Sequence, residues 1–247
     1  MKIALLGYGR MGRAVETVAT ARGHEIVVRL DIDDNPDGRG LTRERLAGAE
    51  VAIEFTTAEA APRNVEGLAE CGVNAVVGTT GWYDRLGEVS SEVERMGVGL
   101  IYAPNFSLGT QVFFRLAALA AELAERLNGY DAYVLEAHHR HKRDHPSGTA
   151  AKVADLLVST LSSKTRWKAG TDDSPIDPTV LQVTSVRAGE IPGAHVVGLE
   201  GPHDRLEIRH EARARTGFAE GAVRAAEWVR GRRGVFTLED MLAELWS

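Results

Sequence analysis

A single cysteine, Cys71, stands in 247 residues. One thiol closes no internal disulfide and offers no partner set for zinc, so a reducing compartment such as the cytoplasm is expected. Cys71 itself reads as a small buried hydrophobe. Long apolar runs are also missing: the first, Ile3 to Leu6, is too short for a signal peptide or a membrane span. Positive charge is in deficit, with 35 acidic against 29 basic side chains and a net charge of −6. That balance excludes nucleic acid or an anionic membrane as the main partner, because both require an extended basic surface. No spacing suited to a metal site occurs, and none is expected. At 44% hydrophobic and 26% charged, the chain has the composition of one or two globular domains with a real core.

Against this acidic background, residues 135–150 (LEAHHRHKRDHPSGTA) collect four of the eight histidines together with Arg140, Lys142 and Arg143. A core has no use for such a composition. A strand-like lead-in over 133–137 delivers the cluster, Pro146 biases His145 toward extended backbone, and Ser147 stands where a helix N-cap is expected. The amides of Gly148 and Thr149 then face outward, and free amides at a helix start bind carboxylate or phosphate oxygens. The segment reads as an anion site with proton-transfer groups beside it; a solvated basic loop is the bland alternative.

At the other end, the strand-length run Lys2–Leu6 leads directly into Gly7-Tyr8-Gly9-Arg10-Met11-Gly12, after which Ala14, Val15, Val18 and Ala19 recur at helical spacing. This is GxGxxG in the context that gives it meaning: Gly7 for the tight turn, Gly9 for close approach of a pyrophosphate, Gly12 for helix-on-strand packing. A second strand over Glu25–Leu30 ends at Asp31, 19 residues beyond Gly12, where a ribose-binding acid belongs. An acid there favours NADH over NADPH, with Arg29 and Arg39 as cations that temper the preference and Asp33 as a rival acid.

Apolar strand patterns recur at 51–57, 73–77 and 99–102, separated by helical stretches, which predicts a parallel sheet with ligands at its carboxyl ends. Gly78, Thr79 and Thr80 fall at one such end, and Ala103, Pro104, Asn105 and Phe106 at another. Both groups are expected to line the nicotinamide side of the crevice. A long helix follows at 111–127. Strand-like alternation at 131–137, 180–187, 195–199 and 206–212 without intervening helices then suggests a mixed or antiparallel sheet, with one face available to another subunit. Residues 171–178 read as a polar loop, 219–230 as a helix and 236–246 as a short last helix. The fold class is therefore α/β, with a Rossmann-like parallel-sheet domain at 1–104, to which a tail at 218–247 returns, and an α+β domain at 105–217 for substrate binding and oligomerisation.

In these motifs the chain resembles the 4-hydroxy-tetrahydrodipicolinate reductase (dihydrodipicolinate reductase) family over nearly its whole length. The resemblance is carried by Glu136-Ala137-His138-His139-Arg140-His141-Lys142, Asp144-His145-Pro146-Ser147-Gly148-Thr149-Ala150, the glycine loop, Gly78-Thr79-Thr80-Gly81, Asn105-Phe106-Ser107, the run from Val186 to Glu190 with Gly193 and His195, and Arg205-Leu206-Glu207-Ile208. It implies NAD(P)H-dependent reduction in the diaminopimelate route of lysine biosynthesis by a cytoplasmic homotetramer. It further implies that His138 is the acid/base group and Lys142 a proton donor, that His139 contacts a substrate carboxylate, and that Ser147, Gly148 and Thr149 bind the dicarboxylate substrate. Three departures stand out: a glycine loop one residue shorter than in many members, His145 where a small residue is common, and a compact segment around 162–173. Two other classes compete on the glycine loop alone, a Rossmann dehydrogenase acting on an amino acid and a dinucleotide sensor without turnover, but neither needs His138 and Lys142.

Overall fold

The computed structural model describes residues 1–38, 40–170 and 174–246, without the Asp37 side chain. Along the chain run β1 (Lys2–Leu6), α1 (Arg10–Ala21), β2 (Glu25–Leu30), β3 (Val51–Glu54), α2 (Ala61–Glu70), β4 (Asn74–Val77), α3 (Leu86–Met96) and β5 (Gly99–Tyr102). They are followed by α4 (Leu108–Leu127), β6 (Asp131–His138), α5 (Gly148–Thr160), β7 (Arg166–Ala169), β8 (Val180–Arg187) and β9 (Ala194–Glu200). The chain closes with β10 (Arg205–Glu211), α6 (Thr216–Val229), β11 (Gly234–Thr237) and α7 (Leu238–Leu245). Two compact units result, one of Met1–Ser107 with Arg215–Ser247 and one of Leu108–Ala214. Arg39 and the first part of the 171–178 loop lie outside the described residues, as does the end of the compact segment at 162–173.

The first unit holds an all-parallel six-stranded sheet in the order β11-β5-β4-β3-β1-β2. Its strands are short apolar runs because helices bury both faces; Ala4, Leu6, Ala52 and Val77 pack against Val65 and Leu68 of α2 and Val89 and Val93 of α3. The C-terminal segment is tied into the same unit. Arg22 at the end of α1 pairs with Glu220 and Glu227 of α6 at 3.0 and 2.8 Å, and Asn74 donates to the Val229 carbonyl at 2.5 Å. Strand order reverses at β1 and β3, so the crevice of this Rossmann-like sheet opens at the carboxyl ends of those two strands.

The second unit carries a five-stranded mixed sheet in the order β10-β9-β6-β8-β7, with β6 central, parallel to β8 and antiparallel to β9. Phe113, Ala117 and Ala121 of α4 and Val153 and Leu157 of α5 pack on Val134, Leu181, Val183 and Val197. Along β6 the residues alternate, so that Ala132, Val134, Glu136 and His138 are buried on one face while Tyr133, Leu135 and Ala137 are half-buried on the other. The apolar face of β6 thus ends in a carboxylate and an imidazole.

Several sequence readings need correction. The stretch 236–246 is not one helix: Gly234–Thr237 adds β11 as an edge strand parallel to β5, and α7 begins only at Leu238. Thr237 caps it, its hydroxyl accepting the Asp240 amide at 3.2 Å while the Asp240 carboxylate accepts the Thr237 amide at 2.7 Å, a reciprocal box that marks a helix start in sequence. Strand β7 falls where no element was expected, because four residues are too few to show a period. Both α4 and α6 begin three residues earlier than their patterns suggested. Among the described residues no helix is long and apolar enough to cross a membrane.

Candidate active site

In the first unit the glycine loop is shaped by missing side chains. Gly7 sits at φ +84°, and a Cβ there would lie 2.1 Å from the Phe55 carbonyl oxygen; a Cβ on Gly12 would lie 2.2 Å from the Gly7 oxygen. Before Gly9 nothing stands within 4 Å. Gly9 is also the N-cap of α1, without a side-chain cap and without an acid in the first turn, so the amides that open the helix face free space. A pyrophosphate fits that cradle.

Around the loop, the Tyr8 hydroxyl donates to Glu16, which also accepts from Arg29 Nε at 3.1 Å. Hydrogen bonds from Arg29 first and Tyr8 second push the Glu16 carboxyl down to about 2. Arg29 is thereby committed to Glu16. Asp31 follows β2 directly and is exposed, with one carboxylate oxygen accepting the Ile32 amide at 3.1 Å. Thr79 accepts the Thr56 amide at 2.8 Å, the Ala103 amide bonds to Val77 at 3.2 Å, and buried Phe106 meets Phe55 edge-on with centroids 6.5 Å apart. The sheet therefore brings residues 7–12, 31, 78–80 and 103–106 to the same end of its strands. Sequence reasoning missed Glu54, fully buried at the end of β3, which accepts from the Thr56 amide at 3.1 Å and Asn64 at 3.3 Å. Burial holds its carboxyl above the usual range; the available signal was an acid terminating an apolar strand.

In the second unit the register of the sheet builds the chemistry. Glu136 of β6 lies opposite Ser185 of β8 and His195 of β9, and His138 lies opposite Arg187. Arg187 grips the fully buried Glu136 carboxylate with two bonds of 2.9 and 2.7 Å and donates to the Asp144 carbonyl at 2.7 Å. Glu136 also accepts hydrogen bonds from the Ser185 side chain and from the Ser147 amide at 3.2 Å, and it faces His138 Nδ1 at 2.5 Å. Burial alone would raise the Glu136 carboxyl, but the hydrogen bonds led by Arg187 outweigh it and hold the group at about 2. Burial also depresses the His138 imidazole, more than Glu136 raises it, so the ring is neutral near pH 7. With Nδ1 facing a carboxylate, the proton is assigned to Nδ1, which leaves Nε2 as the exchangeable position. Gly193, at φ +146°, passes directly by; a Cβ there would stand 2.9 Å from His138 Nε2.

The loop after β6 carries the remaining groups. Lys142 Nζ pairs with Asp144 at 2.8 Å; burial would raise the Asp144 carboxyl, but this hydrogen bond prevails and lowers it. His139 is half-buried, with Nδ1 lacking a partner. His141 is exposed, 3.8 Å from Glu190. Ser147 is the N-cap of α5, its hydroxyl accepting the Ala150 amide at 3.2 Å. The Gly148 and Thr149 amides lie ahead of the first intrahelical bond, and the space before Gly148 is open. His195 Nε2 lies 3.0 Å from the Ser147 hydroxyl, with its ring centroid 5.1 Å from that of His138; burial pushes its imidazole down to about 4. Glu136, Arg187, Gly193 and His195 had no role assigned from sequence, because their relation to His138 is set by strand register. Among the described residues no group of three or more His, Cys, Asp or Glu is placed to hold a metal ion.

Comparison with known proteins is consistent across both units. Residues 1–106 match the family described as "Dihydrodipicolinate reductase, N-terminus" and residues 109–242 the one described as "Dihydrodipicolinate reductase, C-terminus". A 4-hydroxy-tetrahydrodipicolinate reductase of Christiangramia forsetii is 37% identical over 247 residues, covering 100% of both chains. The protein of that name from Archaeoglobus fulgidus is 38% identical, covering 98% of this chain and 100% of its own. Among solved structures, a dipicolinate-bound dihydrodipicolinate reductase from Paenisporosarcina sp. TG-14 superposes with a TM-score of 0.76 at 23% identity, covering 96% of this chain and 97% of its own, a likeness of fold.

Proposed function

This chain belongs to the dihydrodipicolinate reductase family, and from that membership and the Glu136 cluster we propose how it works. It is an NAD(P)H-dependent oxidoreductase that reduces 4-hydroxy-tetrahydrodipicolinate to tetrahydrodipicolinate in the diaminopimelate route of lysine biosynthesis. The observation that carries the mechanism is the triad of half-buried Arg187 with buried Glu136 and His138, which fixes one tautomer and one orientation of an imidazole beside the open start of α5. Unit one is the dinucleotide-binding domain and unit two the substrate and oligomerisation domain.

In the first domain the proposed cofactor residues are Gly7, Tyr8, Gly9, Arg10, Met11, Gly12, Asp31, Gly78, Thr79, Thr80, Ala103, Pro104, Asn105 and Phe106. Backbone amides at the start of α1 take the pyrophosphate, and a bound reduced nicotinamide supplies hydride. NADH is the favoured form: Asp31 hydrogen-bonds a ribose hydroxyl and repels a 2′-phosphate, while Arg29, the nearest cation along β2, is engaged by Glu16.

In the second domain the substrate's two carboxylates are held separately. Gly148 and Thr149 take one through their amides with Ser147 beside them, and His139 takes the other. Lys142 adds a positive charge that draws in the dianion. The substrate's 4-hydroxyl leaves as one molecule of water, which completes the conjugation of the ring; reduction of that ring then takes up one hydride and one proton where electron density collects, and Lys142 donates the proton. His138, neutral and steered by Glu136, exchanges protons through Nε2, a task suited to imidazole. Glu136 stays ionised throughout, held by Arg187, so the imidazolium that forms transiently is stabilised without a second proton shift.

A cytoplasmic homotetramer completes the proposal; Val186 and Leu206 of the second unit's sheet are exposed apolar side chains that a subunit contact would cover. The function is tested by following NADH absorbance in the presence of 4-hydroxy-tetrahydrodipicolinate, with NADPH in parallel. Substrate-dependent oxidation, faster with NADH, is expected; a protein that binds NADH and oxidises neither cofactor contradicts the assignment.

A further inference from the structure

His195 is buried, with 6% of its surface exposed, and its ring sits among the rings of His138, Phe113 and His210 at centroid separations of 5.1, 6.2 and 6.5 Å. One ring nitrogen, Nε2, lies 3.0 Å from the Ser147 hydroxyl oxygen; the other, Nδ1, is buried without a partner. The Ser147 oxygen also accepts the Ala150 amide at 3.2 Å. A hydroxyl has two acceptor positions and one proton, so the direction of the bond to His195 decides what Ser147 can offer a ligand.

If Ser147 donated to Nε2, the neutral ring would carry its proton on Nδ1, a sealed N–H with no acceptor, and such stranded donors are rare in folded proteins. If His195 donates from Nε2, only a lone pair is left bare at Nδ1. Both acceptor positions of the Ser147 oxygen are then filled, by Ala150 and by His195, and its proton has no acceptor among the described residues. It remains a donor at the same helix end as the open Gly148 amide.

We propose that His195 is a positioning residue: by donating from Nε2 to Ser147 it turns the Ser147 hydroxyl into a third fixed donor, beside the Gly148 and Thr149 amides, for a substrate carboxylate. This rests on the reading that the dicarboxylate binds at the start of α5. A neutral His195 suits the role because a burial-depressed imidazole neither attracts nor releases a proton near pH 7.

The test measures binding of pyridine-2,6-dicarboxylate, a planar dianion, by calorimetry on the full-length protein. Ser147→Ala and His195→Ala are each expected to weaken binding about tenfold, and the double variant no more than either alone, because one acts through the other. His195→Gln restores most of the affinity, since its amide N–H stands in for Nε2–H, and NADH affinity stays unchanged in all four variants. Binding by His195→Ala equal to the parent, or losses that add in the double variant, overturns the proposal. Lys142→Ala separates the two layers. If it weakens binding while His195→Ala does not, the site stands and only the role of His195 fails; if the parent itself binds nothing, both fall.

Discussion

The two functional ends of this molecule are built on opposite principles. The glycine loop of the first unit is shaped by leaving side chains out: Gly7 and Gly12 close the turn and Gly9 keeps the space clear, so that the cofactor proposed to bind there would meet neutral backbone amides. The cluster of the second unit works by burying charge, with Glu136 fully enclosed between Arg187 and His138. A cradle of backbone dipoles is cheap to keep in water, whereas an enclosed ion pair is stable only while every partner is present. The comparison therefore predicts a glycine loop whose amides do not titrate and a fragile, pH-sensitive cluster around Glu136.

The largest effect follows from removing one member of the buried pair. Glu136→Ala strands the Arg187 guanidinium and is expected to cost about 3 to 5 kcal/mol of stability, read as a shift of the urea midpoint at constant slope. Next comes Gly193→Ala, whose Cβ would press on His138 Nε2 from 2.9 Å. A displaced imidazole lowers kcat by about 100-fold, and NADH affinity measured by fluorescence stays as in the parent.

The pH response distinguishes the two ends without mutation. His195 and His138 both have folded pKa values below the unfolded value, His195 at about 4. The unfolded chain therefore takes up protons first as pH falls, and the stability these neutral rings contribute is present above pH ~6.5 and drains away toward pH ~4. His195 accounts for roughly 1 to 2 kcal/mol of the loss between pH 7 and 5. Replacing it with Asn flattens the profile over that window; a profile as steep as the parent's contradicts the assignment. The smallest effect belongs to the cofactor end, where Asp31→Asn lowers the NADH preference over NADPH, in kcat/KM, by roughly tenfold.

Legibility in the sequence followed the same divide. The strand, glycine loop and helix of the proposed cofactor cradle were readable because these parts are consecutive, with an acid at a set distance. The capped helix start at Ser147 to Thr149, proposed to bind a carboxylate, was readable for the same reason. Glu136 lay in plain sight within the histidine segment, yet its function depends on Arg187, 51 residues away, and His195 reaches Ser147 across 48 residues. Only the pairing of β6 with β8 and β9 sets those distances, and alternation within a strand says nothing of its neighbour's register. Strands β7 and β11, at four residues each, were too brief to show a period, and β11 was absorbed into the helix that follows it.

The measurement that bears most directly on this division of labour is steady-state kinetics of Lys142→Ala alongside its NADH dissociation constant. Lys142 belongs to the second unit and the glycine loop to the first, so the account predicts that kcat falls by at least about 100-fold while the dissociation constant stays within about twofold. Unchanged turnover, or a loss traced wholly to weaker NADH binding, would contradict it.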